Sequence, residues 1–287
     1  MSKIRKVVLL IVPLIGLMHE SHAAAISAGT TEYVTVRTCT VAGVSGCDAM
    51  SSVQFGMYGG MPGDTASAAS LSVPGFGSAN GSVSLSGIVG APVLRADANS
   101  QAGKRLNTNS VALQRYTYNG PAPTKRVFQG DLSYSQLVTG TYPAGVGGGI
   151  NAILEVFTLP TETIDIDNNE IANFEMLFSG YSRLIGYSSL GISNYRDSTS
   201  TLTGNGTLSV VVNLNPGDAV WVKALVQTPA VNGGWVDSSH TFVTSWDNSS
   251  GLTPAAVAIP EPTTLALSLF ALAAVAGLTF SRSRSIA

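Results

Sequence analysis

Charge is scarce in this chain. Only 11% of its 287 residues are Asp, Glu, Lys or Arg, with two cysteines and three histidines. So few basic groups exclude the clustered Lys and Arg that a nucleic-acid surface needs. Two cysteines cannot build a disulfide-dense scaffold or a four-thiolate zinc site. The sequence holds no G-x-S-x-G elbow, no Walker-type phosphate loop and no H-E-x-x-H pair, so the common hydrolase, nucleotide and zinc-protease signatures are absent. A long amphipathic helix is missing as well. What is abundant is Gly (31 residues) together with Ser, Thr, Val and Asn, the composition of short strands joined by many turns.

Mean hydropathy is +0.27, but the apolar character lies at the two ends. Lys3, Arg5 and Lys6 precede an apolar run from Val7 to Met18, and Ser21, Ala23, Ala24 and Ala25 follow. A basic start, a short apolar stretch and small residues at a cleavage point make a secretory signal. The run is shorter than the ~20 residues a spanning helix requires. Residues 1–23 are therefore expected to be a signal peptide removed by signal peptidase, with Ala25 the alternative cleavage point.

Export changes the reading of Cys39 and Cys47 in "RTCTVAGVSGCDA". Two thiols close in sequence in an oxidising compartment predict one short-loop disulfide. The histidines are His19, His22 and His240, and the first two leave with the signal, so zinc ligands are lacking.

At the other end, residues 263–280 are uncharged and Arg282 and Arg284 follow. That length approaches the minimum for crossing a hydrocarbon core, and the arginines favour a cytoplasmic end. Pro260, Glu261 and Pro262 stand immediately before the run. Triplet, span and basic end, in that order and behind an N-terminal signal, resemble the PEP-CTERM sorting tail of exported bacterial proteins. The resemblance covers about the last tenth of the chain. It implies recognition by an exosortase, an integral-membrane cysteine transpeptidase that cuts near the triplet, with Pro260, Glu261 and Pro262 as substrate residues. It also implies a destination at the cell surface or in an extracellular matrix, in association with exopolysaccharide and biofilm. The prolines would keep the segment extended at the membrane surface.

The ends carry five of the 15 basic residues and two of the 17 acidic ones, so the body keeps 10 and 15, a net of −5. Alternation dominates it. Leu208, Val210, Val212 and Leu214 fall on one face and Thr207, Ser209 and Asn213 on the other. Asn215-Pro216-Gly217-Asp218 supplies a turn, and Val220, Val222, Ala224 and Val226 resume the pattern, which predicts a hairpin with one buried face. Further strands are expected over Glu32–Val41, Val53–Tyr58, Ser82–Val89, Val111–Tyr118, Val127–Val138, Ala152–Leu159, Phe174–Tyr187 and His240–Trp246. The fold class expected is all-β, a β-sandwich of jelly-roll type, with separate N-terminal signal and C-terminal transmembrane helices. The boundaries are 1–23 signal, 24–250 ectodomain, 251–262 linker, 263–280 transmembrane helix and 281–287 basic cytoplasmic tail.

Three constellations in the body could carry chemistry. His240 lies near Asp237 and Ser239, but alternation places it beside Phe242 and Trp246, as a packed histidine. Asp165, Asp167 and Asn169 offer oxygen ligands at alternate positions that can wrap calcium, although Glu170 and Met176 break the EF-hand pattern. Trp235, directly after Gly233 and Gly234 and expected on a loop, and Trp221, sharing a face with Lys223 and Gln227, are candidates for stacking on sugar rings. The expected protein is non-enzymatic and without a cofactor, calcium aside. The competing expectation is a secreted carbohydrate-active enzyme or a carbohydrate-binding module on the same scaffold, with acids such as Asp165 or Glu175 working as a pair.

Overall fold

The computed structural model describes residues 28–38, 55–60, 64–138, 147–158, 183–195, 200–237 and 241–255. All of them belong to the first of two compact units, Met1–Val257. Among the described residues the structure is β, apart from one turn of 3₁₀ helix at Ile88–Gly90. No helix among them is long and apolar enough to cross a membrane.

The strands form two antiparallel sheets. The first runs β2 (Phe55–Gly59), β1 (Ala28–Thr38), β6 (Lys104–Tyr118), β11 (Ala219–Val231), β8 (Gly147–Thr158) and β9 (Arg183–Tyr195), with the short β14 (Leu252–Pro254) also on β6. The second runs β10 (Ser200–Leu214), β7 (Thr124–Val138), β12 (Gly234–Asp237), β5 (Val93–Ser100), β4 (Gly77–Ser84) and β3 (Ala66–Val73). A further strand, β13 (Phe242–Trp246), pairs with both β5 and β7. Strands β12 and β13 thus share one lane of the sheet, opposite successive halves of β7.

Alternation explains the layering. Leu208, Val210, Val212 and Leu214 of β10 point inward and are buried, as the sequence predicts, while Val211 on the other face is 49% exposed. Leu94, Ala96 and Ala98 of β5 and Phe128 and Leu132 of β7 join them. They meet the inward Val222, Ala224 and Val226 of β11 and Leu154 and Val156 of β8. Trp246 closes one end of this core, edge-on to Tyr116 at 5.6 Å and tilted against Phe128 at 5.1 Å between ring centroids. Pairs in these geometries add specificity to the burial of large apolar area.

Several expectations need correction. The run from Leu208 to Val226 is not a hairpin: β10 pairs with β7, whereas β11 lies in the other sheet between β6 and β8. The turn itself is as expected. The Asp218 N–H donates to the Asn215 carbonyl at 3.0 Å, and Gly217 takes a φ of 90°. Its N–H donates to the Tyr118 carbonyl at 2.7 Å, so the turn is fastened to β6 and carries the chain across to the other sheet. Alternation identifies strands but does not choose their partners.

The fold also continues beyond Trp246 into the stretch read as linker, because β14 pairs Leu252, Thr253 and Pro254 with Tyr118, Thr117 and Tyr116. It takes the place beside β6 that β1 leaves at Gln114. The strand expected at Ser82–Val89 lies earlier, at Gly77–Ser84, and gives way to the 3₁₀ turn, where Val89 has a φ of 51°. Strands β3 and β5 were not expected; "ASAASLSV" and "VLRADANS" carry little β-branched or aromatic signal. The signal segment, Cys39, Cys47, Asp165, Asp167, Asn169, Glu175, Ser239, His240, Pro260, Glu261, Pro262, Arg282 and Arg284 lie outside the described residues.

Candidate functional site

The two tryptophans proposed as stacking platforms have different fates. Trp221 does share its face of β11 with Lys223 and Gln227, but that face is covered. Trp221 is 2% exposed and lies parallel to Phe157, with centroids 6.4 Å apart, in a second apolar cluster with Val111, Leu113 and Leu225. Beside it the Lys223 ammonium is 3.2 Å from the Glu155 carboxylate, and the two residues face each other across β11 and β8. An indole held in this way has no open face for a sugar ring, so Trp221 is withdrawn as a platform.

Trp235 is placed otherwise. It sits on β12 rather than on a loop; the turn is Asn232-Gly233, with φ of 56° and 92°. These positive values suit Asn and Gly. The Gly103 N–H donates to Asn232 Oδ1 at 2.7 Å and the Asn232 N–H to the Lys104 carbonyl at 2.8 Å, which anchors the entry to β12. Gly234 and Val236 of β12 are buried, so Trp235 and Asp237 face outward and are half-buried.

The register then fixes what surrounds them. One outward row crosses six strands as Ser70, Asn80, Asp97, Asp237, Ser135 and Thr203. The next runs Ser72, Ser78, Asn99, Trp235, Leu137 and Thr201. The first three members of this row are hydrogen-bonded in series: Ser70 Oγ donates to Asn80 Oδ1 at 2.5 Å, and Asn80 Nδ2 donates to Asp97 Oδ2 at 2.8 Å. Burial pushes the Asp97 carboxyl up; the Asn80 bond works against this, and the charge of Asp237 adds to it. The two acids are directly opposite on adjacent strands, where like charges repel.

No family model matches the chain, and no curated protein matches it. Among solved structures it is similar to the enzymatically active domain of tailspike protein 4 of bacteriophage CBA120, at 8% identity and a TM-score of 0.23, over 64% of this chain and 20% of that one. It is also similar to TmCBM61, solved in complex with β-1,4-galactotriose, at 10% identity and a TM-score of 0.18, over 56% of this chain and 71% of that one. At these scores neither likeness bears on the fold or the ligand of this chain.

Chemically, the outer face of the second sheet offers a flat indole beside carboxylate, amide and hydroxyl groups. Such groups accept and donate hydrogen bonds to hydroxyls. Among the described residues no group of three or more His, Cys, Asp or Glu could hold a metal ion. Sequence reasoning found Trp235 but missed the row beside it. Its signal was available in "VLRADANS", where Arg95, Asp97 and Asn99 alternate with Leu94, Ala96 and Ala98.

Proposed function

We propose that the chain is an exported, non-enzymatic surface or matrix protein whose β-sandwich binds carbohydrate, with exopolysaccharide as its setting. The observation that supports the binding role is the outward Trp235, set in register beside the polar row of Asn80, Asp97 and Asp237, in which Asn80 donates to Asp97. A sugar ring presents C–H groups to an aromatic face and hydroxyls at its rim, and this face supplies partners for both. The scaffold reading is a jelly roll: β6, β7 and β8 alternate between the sheets, and β10 and β11 do so again. Export and sorting are supported by the basic and apolar start and by the PEP-CTERM-like tail. In that reading signal peptidase removes residues 1–23 and exosortase acts near Pro260-Glu261-Pro262.

Affinity electrophoresis in gels containing neutral or acidic polysaccharides tests the binding role. Retardation of the wild-type protein by at least one polysaccharide, lost in Trp235→Ala, is the expected result. No retardation in any gel, or equal retardation of both proteins, overturns it.

A second reading draws on the Asp97–Asp237 pair. Two adjacent carboxyl groups, one biased towards its neutral form, are also what an acid–base glycosidase uses. Release of reducing ends from a retained polysaccharide, abolished by Asp97→Asn, would favour this enzyme over a binding module.

A further inference from the structure

We propose that Glu32 is held as a neutral carboxylic acid that ties β1 to the second sheet through Ser110, and that loss of its proton loosens this side of the sandwich as the surroundings turn alkaline. The geometry carries the protonation state. Glu32 is fully buried and faces inward from β1, opposite Ser110 of β6. Ser110 Oγ lies 2.8 Å from Glu32 Oε2 and 2.7 Å from the Arg95 carbonyl of β5. A serine hydroxyl has one proton, and a backbone carbonyl can only accept. The Ser110 proton therefore goes to Arg95, and the short contact to Glu32 requires a proton on the carboxyl. The result is a one-directional chain, Glu32 O–H to Ser110 O–H to the Arg95 carbonyl, that links the two sheets.

The other oxygen agrees. Glu32 Oε1 is buried without a hydrogen-bond partner, a state that a neutral carbonyl oxygen tolerates far better than half of a carboxylate charge. No compensating charge is at hand among the described residues. β6 presents Thr108 and Ser110, β4 presents Gly81, and the inward neighbours of Gly81 are Ala69 of β3 and Ala96 of β5. The Arg95 side chain is on the exposed face and contributes only its carbonyl. Burial accordingly pushes the Glu32 carboxyl up to about 9; only a Ser110 hydroxyl donating to the carboxylate would pull it down, and that proton is committed to the Arg95 carbonyl.

The pH window follows. Below the ordinary value of 4.5 the folded and unfolded chains both hold the proton; between 4.5 and about 9 only the folded chain does. Stability from this group is therefore fully present at the acid end, declines through that window and is lost above it. Ionisation also leaves Ser110 one proton for two acceptors, so either the carboxylate or the Arg95 carbonyl goes without.

The test uses the full-length protein and Glu32→Gln, whose amide N–H can donate to Ser110 at every pH. Thermal unfolding across pH 5 to 10 should show wild-type Tm falling relative to the variant, the gap widening towards the alkaline end. Infrared spectra of ¹³C-glutamate-labelled protein at neutral pH should show a protonated-carboxyl band that is absent in Glu32→Gln. Parallel Tm curves, or no such band in wild-type protein, overturn the proposal. If Glu32→Gln fails to fold, the wild-type band decides alone.

Discussion

Trp221 lies parallel to Phe157 across β11 and β8, the planes 8° apart, in an apolar layer on the outer side of the first sheet. The second sheet's outer side is polar around Trp235. The two faces therefore predict opposite consequences for the same substitution. Trp221→Ala removes a fully buried indole and should cost about 3–5 kcal/mol of stability. Trp235→Ala removes a half-buried one and should cost about 1 kcal/mol. Denaturant unfolding of the two variants checks this; comparable losses would mean that Trp235 is a packing residue.

Gly81 should resist any side chain. A Cβ there would meet the Glu32 carboxyl oxygen and the Thr108 methyl, in a row otherwise built from Ala69 and Ala96. Gly81→Ala is expected to destabilise by about 1–3 kcal/mol, the usual cost of overpacking. The clash is with a specific partner, so the cost should not add. With Glu32→Ala already in place, Gly81→Ala should be milder by more than about 0.5 kcal/mol. A double-mutant cycle in urea measures the coupling, and simple additivity would mean that the two residues do not press on each other.

These examples show which parts of the structure the sequence made legible. The inward face of β10 was readable because Leu208, Val210, Val212 and Leu214 alternate strictly, and the Asn215–Asp218 turn because Pro and Gly fix its backbone. The crossing from β10 to β11 was not, since strand partners are chosen by contacts far apart in sequence, here with Thr124–Val138 and Lys104–Tyr118. The burial of Trp221 was hidden for a related reason. Alternation shows that it opposes Val220 and Val222 but not that its own side is covered. Of the polar row, the alternation of Asp97 and Asn99 in β5 was readable, but its joining to Asn80 and Asp237 was not, because the three belong to separate stretches that only the register aligns.

The Asp97–Asp237 pair makes a pH prediction. Burial first, and then the charge of Asp237, hold the Asp97 carboxyl above its ordinary value, against the Asn80 hydrogen bond. The folded chain keeps this proton longer than the unfolded one. The group's stabilisation is therefore present at acid pH and is lost as pH rises through the folded value. Asp97→Asn imitates the protonated form at every pH and retains an oxygen to accept from Asn80. The variant should thus unfold at a higher temperature than wild-type protein at pH 7, with the difference shrinking as pH falls towards 3.8, the ordinary Asp value, and gone below it. A variant less stable than wild type at neutral pH would show that the ionised carboxylate is favoured there.

The last prediction concerns the tail, where sorting and simple anchoring diverge. Replacing Glu261 and Pro262 by Ala together leaves residues 263–280, Arg282 and Arg284 unchanged. The apolar run should still stop transfer, and the arginines should still favour the cytoplasmic side. Only the extended segment before the span is altered. If exosortase reads that segment, the variant is exported but remains full-length in the membrane, while the wild-type protein is shortened and leaves the membrane fraction or is re-attached. A plain anchor makes no such distinction, because a short segment outside the bilayer sets neither size nor location. Apparent mass and membrane fractionation of both forms, in a host that contains an exosortase, separate the two cases. Full-length protein in the membrane for both would mean that Pro260-Glu261-Pro262 is a linker and that the sorting reading is wrong.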